Sequence, residues 1–244
     1  MCTVLLRFDP TAPWPVLLAA VRDEFVDRPW DPPGPHWPLA HPSITGGRDR
    51  TAGGTWLAVR RDPAALAAVL NGRPLPPSAH PRPSRGGLPL LALTDAAPTA
   101  DALRAYDAVH LLVATPDAVT MWSWDGEEVR RHDIDPGDHI AVNLGLDTVD
   151  DPLVPHFLPL LHATASPPLR AGDDTAAAWA GWVDLLRGEG LPGDDPRALL
   201  VRHVHEGRTY GSTSASLVAL RRDGVRMDFT ATPTTPAWQE IPVP

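Results

Sequence analysis

The 244-residue chain contains no lysine, and all 21 of its basic residues are arginine. That absence excludes Schiff-base chemistry on a lysine amine and a Walker-type phosphate loop, both of which need the side chain. Cysteine is nearly absent too. One thiol, Cys2, directly follows Met1, so no internal disulfide can form and cysteine usage gives no argument for secretion. Long hydrophobic runs are missing. The apolar stretch Val16-Leu17-Leu18-Ala19-Ala20-Val21 ends in Arg22-Asp23-Glu24. It is too short for a signal-peptide core and far short of the roughly 20 residues that cross a bilayer. A basic patch is also lacking. The formal charge is -9, and the pairs Arg60-Arg61, Arg130-Arg131 and Arg221-Arg222 stand at expected strand ends, which argues against nucleic acid as a partner. The expectation is a cytoplasmic protein without membrane insertion that meets a small-molecule substrate or ligand. Its length suits one large domain or two small ones, with a core large enough to need no staples, and a single domain over residues 1–244 is expected.

Proline is in excess at 30 residues, about 12% against a usual ~5%. It clusters at 28–42 and 73–85, which predicts extended, rigid loops, and the Pro/Thr-rich stretch 232–244 predicts a loosely held terminus. Segments 3–8 and 16–22 read as a hairpin around Asp9-Pro10-Thr11-Ala12-Pro13. Segment 55–60 reads as a strand, whereas the alanine-rich 64–70 fits either a second hairpin arm or a helix. Helices are expected over 88–93 and 99–106. Strands follow at 108–114, 118–124, 127–132 and 139–143, with Asp125-Gly126 as a tight turn. Two helices come next, at 153–162 and 175–187, the second carrying Ala176, Trp179, Val183 and Leu186 at helical spacing. Strands at 200–205, 212–221 and 225–230 close the chain. Hairpins dominate and the helices are grouped. The class is therefore α+β, two mainly antiparallel sheets packed together with helices outside.

The hairpin gives the lone thiol a neighbourhood. If the turn centres near Ala12, Cys2 lies across from Arg22, with Asp23 one step beyond. Removal of Met1 would leave the nucleophile carrying a free α-amine. An α-amine titrates near pH 7.7–8.0 and a thiol near 8.5, so proton exchange between them is nearly thermoneutral. The amine can then act as base on its own side chain. Arg22 is expected to lower the thiol's pKa, and Asp23 to hold the ammonium or a substrate N–H. The same residues also fit a small residue at a frayed terminus and a weak surface ion pair.

Six blocks, in order between Met1 and Gly86, carry a family resemblance. They are Met1-Cys2; Val21-Arg22-Asp23-Glu24-Phe25, followed by Arg28-Pro29, Pro32-Pro33 and Trp37; Gly47-Arg48-Asp49; Gly53-Gly54-Thr55-Trp56-Leu57-Ala58-Val59; Asn71 with Arg73; and Ser84-Arg85-Gly86. Together they resemble the NRDE family, also called the transport and Golgi organisation 2 family. Tyr210-Gly211-Ser212-Thr213-Ser214 resembles a later Tyr-Gly-Thr-Arg-Ser block of that family. The resemblance implies a four-layer αββα sandwich of the N-terminal-nucleophile hydrolase type. It also implies kinship with cysteine amidases such as penicillin V acylases and bile salt hydrolases. By position it makes Cys2 the nucleophile, Arg22 the thiolate partner and Asp23 the amine anchor. Asn71 and Asn143 become candidates for the oxyanion region. Two departures stand out: Val21 replaces the family's asparagine, and Thr213 replaces its arginine.

The expected activity is hydrolysis or acyl transfer at a C–N bond through an acyl-thioester on Cys2, with no cofactor. The alternative is a non-catalytic carrier of haem or an acyl or lipid-like ligand on the same fold. Trp30 and Trp37 fit two roles, lining a pocket for an apolar acyl group or stapling the proline-rich loop to the body. The ten histidines form no tight cluster in the sequence, so no metal site is expected.

Overall fold

The computed structural model describes residues 2–78, 80–94 and 98–244. The chain opens with the hairpin of β1 (Cys2–Phe8) and β2 (Val16–Phe25). It then builds β3 (Trp30–Gly34), β4 (Ile44–Asp49), β5 (Leu57–Arg60) and β6 (Ala65–Asn71). Two short helices, α1 (Leu88–Ala92) and α2 (Ala100–Leu103), precede β7 (Val109–Thr115), β8 (Ala118–Trp124) and β9 (Val129–Ile134). Strands β10 (Gly137–Val142) and β11 (Gly145–Leu146) lead to helices α3 (Leu153–Ala163), α4 (Thr175–Trp179) and α5 (Gly181–Leu185). Strands β12 (Arg202–His205), β13 (Arg208–Arg221), β14 (Gly224–Thr230) and β15 (Gln239–Glu240) end the fold.

Among the described residues these strands make two sheets, and every pairing in them is antiparallel. One runs β11-β10-β1-β2-β13-β14-β15, with β12 on β13, and the other runs β3 to β9 in chain order. The period-2 alternation of β1 and β2 explains the stacking. Val4, Leu6, Phe8, Val16, Leu18 and Ala20 meet Leu57, Val59, Leu66, Ala68, Leu70 and Leu112 of the other sheet in one core. The alternate residues Leu5, Leu17, Ala19 and Val21 pack under Phe157, Leu161, Trp179 and Trp182 of the helix layer. The second sheet's outer face is covered by Leu88, Leu90 and Leu103. With both faces of each sheet buried, apolar runs replace strict polar alternation, and the layer order is α, β, β, α.

Three sequence expectations differ from the structure. The first proline-rich segment contains a strand, because β3 hydrogen-bonds along the edge of β4 with a register shift between Asp31 and Gly34. An edge and an irregularity are where proline is tolerated in a sheet. The helix expected over 175–187 breaks at Ala180, whose φ is 45°. Each half then aims one buried indole: Trp179 Nε1 donates to Asp228 and Trp182 Nε1 donates to the Ala165 carbonyl. The terminal stretch is anchored rather than loose, since β15 pairs with β14 and Ile241 and Val243 insert into the inter-sheet core. The alanine-rich 64–70, left open between helix and strand, contributes β6.

Candidate active site

The β1–β2 register places Cys2 opposite Arg22, as the turn arithmetic predicts. Residues facing each other across an antiparallel pair share a face, here the face toward the second sheet. Val21 points the other way, into the helix-side core at 2% exposure. Its departure from the family pattern therefore leaves Arg22 undisturbed.

Arg22 is held from two sides. Its Nη1 donates to Thr213 Oγ1 at 2.8 Å, and its guanidinium lies 4.4 Å from the Trp56 ring centre and 5.8 Å from that of Trp30. A desolvated guanidinium over an aromatic face gains about 1–2 kcal/mol. Thr213 sits where the β13–β2 register shifts between Ser212 and Ser214. That bulge re-aims its hydroxyl so that it also donates to the Arg22 carbonyl at 3.2 Å. Asp23, 5% exposed, accepts from Ser212 Oγ at 2.6 Å, and Tyr210 Oη donates to its carbonyl at 2.9 Å. The Tyr210–Ser214 block thus positions both members of the Arg22-Asp23 pair.

Burial pushes the Asp23 carboxyl up to about 7, against the opposing pull of the Ser212 hydrogen bond and Arg22. The Cys2 thiol also lies above its ordinary value. Enclosure dominates, and the Asp23 backbone N–H and the Arg22 charge do not offset it. Arg22 does pull the thiol down, as the sequence suggests, but desolvation of the thiolate outweighs this one neighbouring cation and the thiolate is not favoured. The thiol is therefore neutral at pH 7.

The Cys2 backbone nitrogen donates to Asn143 Oδ1 at 3.0 Å. Asn143 follows β10, and its carbonyl is 3.2 Å from His110 Nε2, while His110 Nδ1 is 2.8 Å from Ser123 Oγ. Burial lowers the His110 pKa, so the ring is neutral at pH 7 and donates to the Asn143 carbonyl through one nitrogen. No sequence signal marked His110, an apolar-flanked residue on β7.

A cavity of about 290 Å³ opens on Cys2 and is lined by Arg22, Asp23, Trp56, Asn71 and Arg85, among others. Asn71 comes from the end of β6. Gly54 and Gly86 let two loops meet at the cavity rim: Thr55 N donates to the Gly86 carbonyl at 2.8 Å, and a Cβ on Gly54 would lie 2.3 Å from that peptide. The indole on the lining is Trp56. Trp30 stacks edge-on against Trp56 and Phe229 behind it. Trp37 instead bonds the Gly53 carbonyl and packs on the core formed by Ile44 and Ala58. Trp37 thus fills the stapling role. Among the described residues, no three His, Cys, Asp or Glu side chains are grouped to hold a metal ion.

The double antiparallel sandwich, with a cysteine near the start of a central strand, is the N-terminal-nucleophile hydrolase fold. The crystal structure of the C2A mutant of the conjugated bile acid hydrolase from Clostridium perfringens has this fold. It superposes with a TM-score of 0.51 over 99% of this chain and 97% of that one, at 10% sequence identity. The description Transport and Golgi organisation 2 matches residues 1–123, half of the chain, and the protein belongs to that family. No curated protein matches the chain in sequence. No helix among the described residues is long and apolar enough to cross a membrane.

Proposed function

We propose that the protein is a cysteine N-terminal-nucleophile amidohydrolase or acyltransferase acting on a small amide or acyl compound. The observation that carries this reading is the convergence of the Cys2 thiol, the Cys2 nitrogen bonded to Asn143, and the Arg22-Asp23 pair beside one cavity. Once Met1 is removed, the Cys2 nitrogen becomes an α-amine held by Asn143 Oδ1. The neutral thiol transfers its proton to that amine as sulfur attacks the substrate carbonyl. Asp23, in its carboxylate form, pairs with the new ammonium, and Arg22 balances charge at the sulfur. The Asn71 amide is the candidate donor to the oxyanion. The C–N bond then breaks, the amine leaves with the proton, and water or another amine takes the acyl group from the thioester.

Support for a carrier of haem is weaker, because the cavity that opens on Cys2 measures only about 290 Å³ and its lining is dominated by charged side chains, among them Arg22, Asp23, Glu24, Arg28 and Arg85. The test is release of p-nitroaniline from a panel of acyl p-nitroanilides, with the amino terminus read by intact mass. Turnover by protein lacking Met1, absent in Cys2→Ser, supports the reading. Equal turnover by Cys2→Ser, or full turnover by protein that retains Met1, overturns it.

A further inference from the structure

Four arginines line the cavity above Cys2, and three are already satisfied. Arg28 pairs with Asp49 at 2.7 Å and Arg82 with Asp107 at 2.5 Å. Arg22 is bound by Thr213 and lies 3.9 Å from Glu24. Arg85 differs. Its Nη1 donates to the Ala108 carbonyl at 2.9 Å, and among the described residues it forms no ion pair. Its side chain is half-buried, and burial lowers its pKa. Asp107 and Glu24 act on it through space, but neither makes a direct pair with it, and a guanidinium drawn from water without a contacting carboxylate gains from an anion that completes it. Its remaining donors form a planar fork that suits a carboxylate or phosphate.

The backbone fixes where this charge stands. Ser84 Oγ caps the short turn Arg85–Gly87 by accepting from Gly86 N. The Gly86 carbonyl is locked to Thr55 N across the Gly54 close approach. Arg85 thus leaves a rigid rim on the second sheet's side, while Cys2 and Arg22 come from the first. Arg85 feels the charge of Asp107 first, then of Cys2 and Glu24.

We propose that Arg85 is a substrate-anion receptor, and that the compounds taken by this site carry a carboxylate or phosphate within a few bonds of the carbonyl that Cys2 attacks. This rests on the reading of Cys2 as the reacting group, but on neither Met1 removal nor turnover. Acidic N-acyl amino acids and acyl phosphates share the required chemistry.

The test uses alkylation of the full chain, in which sulfur displaces bromide from a bromoacetyl carbon and the proton leaves to solvent. N-Bromoacetylglycine is compared with its neutral amide, N-bromoacetylglycinamide, and each rate is divided by that with free N-acetylcysteine. The readout is the ratio of the two normalised rates, so a general change in thiol reactivity cancels. The expected ratio is about tenfold in favour of the acid, consistent with one charge-assisted hydrogen-bonded pair. It falls to near one in Arg85→Gln and recovers in part in Arg85→Lys. Inorganic phosphate should slow the acid more than the amide. A ratio near one in the wild type, or a ratio unchanged in Arg85→Gln, overturns the proposal. Failure here with intact anilide turnover removes the anion receptor alone, whereas anilide failure with an intact ratio removes the hydrolase reading.

Discussion

Replacing Asp23 with asparagine should make the protein more stable, by an amount that depends on pH. The folded carboxyl titrates near 7 against an ordinary value of 3.8. Neutral Asp23 therefore favours the fold fully below pH 3.8, and that contribution is lost as pH rises to about 7. Beyond that point the loss is constant. The gap is about three pH units at ~1.4 kcal/mol each, or about 4 kcal/mol. The replacement amide does not titrate and still accepts from Ser212 through its carbonyl oxygen. Urea unfolding of both proteins should show Asp23→Asn more stable by about 4 kcal/mol at pH 8.5 and by only about 1 kcal/mol at pH 4.5. A gain equal at both pH values, or a loss at pH 8.5, would refute the reasoning. The expected gain is the signature of a residue kept for chemistry at the expense of stability.

Other consequences follow from the same contacts. Thr213→Val removes the acceptor of Arg22 Nη1; unfolding should show a loss of about 1–3 kcal/mol, and iodoacetamide labelling of Cys2 should slow. Gly54→Ala forces a Cβ to 2.3 Å from the Gly86 peptide. Calorimetry should record a Tm lower by about 5 °C or more, as overpacking costs about 1–3 kcal/mol. Asp228 is fully buried and accepts from Thr175, Trp179 and Arg226; Asp228→Ala strands the Arg226 charge, and chemical unfolding should report a loss of about 3–5 kcal/mol.

The hairpin and its register were legible because apolar alternation and turn length jointly determine which residues face each other. That was enough to bring Cys2 to Arg22 and to assign the layered α+β class. The pKa directions were not legible. A sequence shows that Arg22 stands near the thiol but not how much water the thiol has lost, and here enclosure outweighs the cation. Nor did local pattern reveal the contacts that close the site. Ser212 and Thr213 reach Asp23 and Arg22 across 189 and 191 positions of sequence, and the aim of Thr213 depends on a bulge. Trp30 and Trp37 share a loop in the sequence, yet Trp56 supplies the indole on the cavity, because Trp56, just before β5, lies against the Arg22 guanidinium. The break at Ala180 was equally hidden, since helical spacing of Trp179 and Val183 continues across it.

The central claim is that the α-amine of Cys2 activates its own thiol. The most direct measurement compares acylation of Cys2, followed by intact mass with an activated acyl thioester, in protein with Met1 removed and in protein that retains it. A positioned general base contributes about 10²–10⁴ in rate. The account predicts acylation at least about a hundredfold faster in the processed protein and none on Cys2→Ser. Equal rates in the two forms would contradict it.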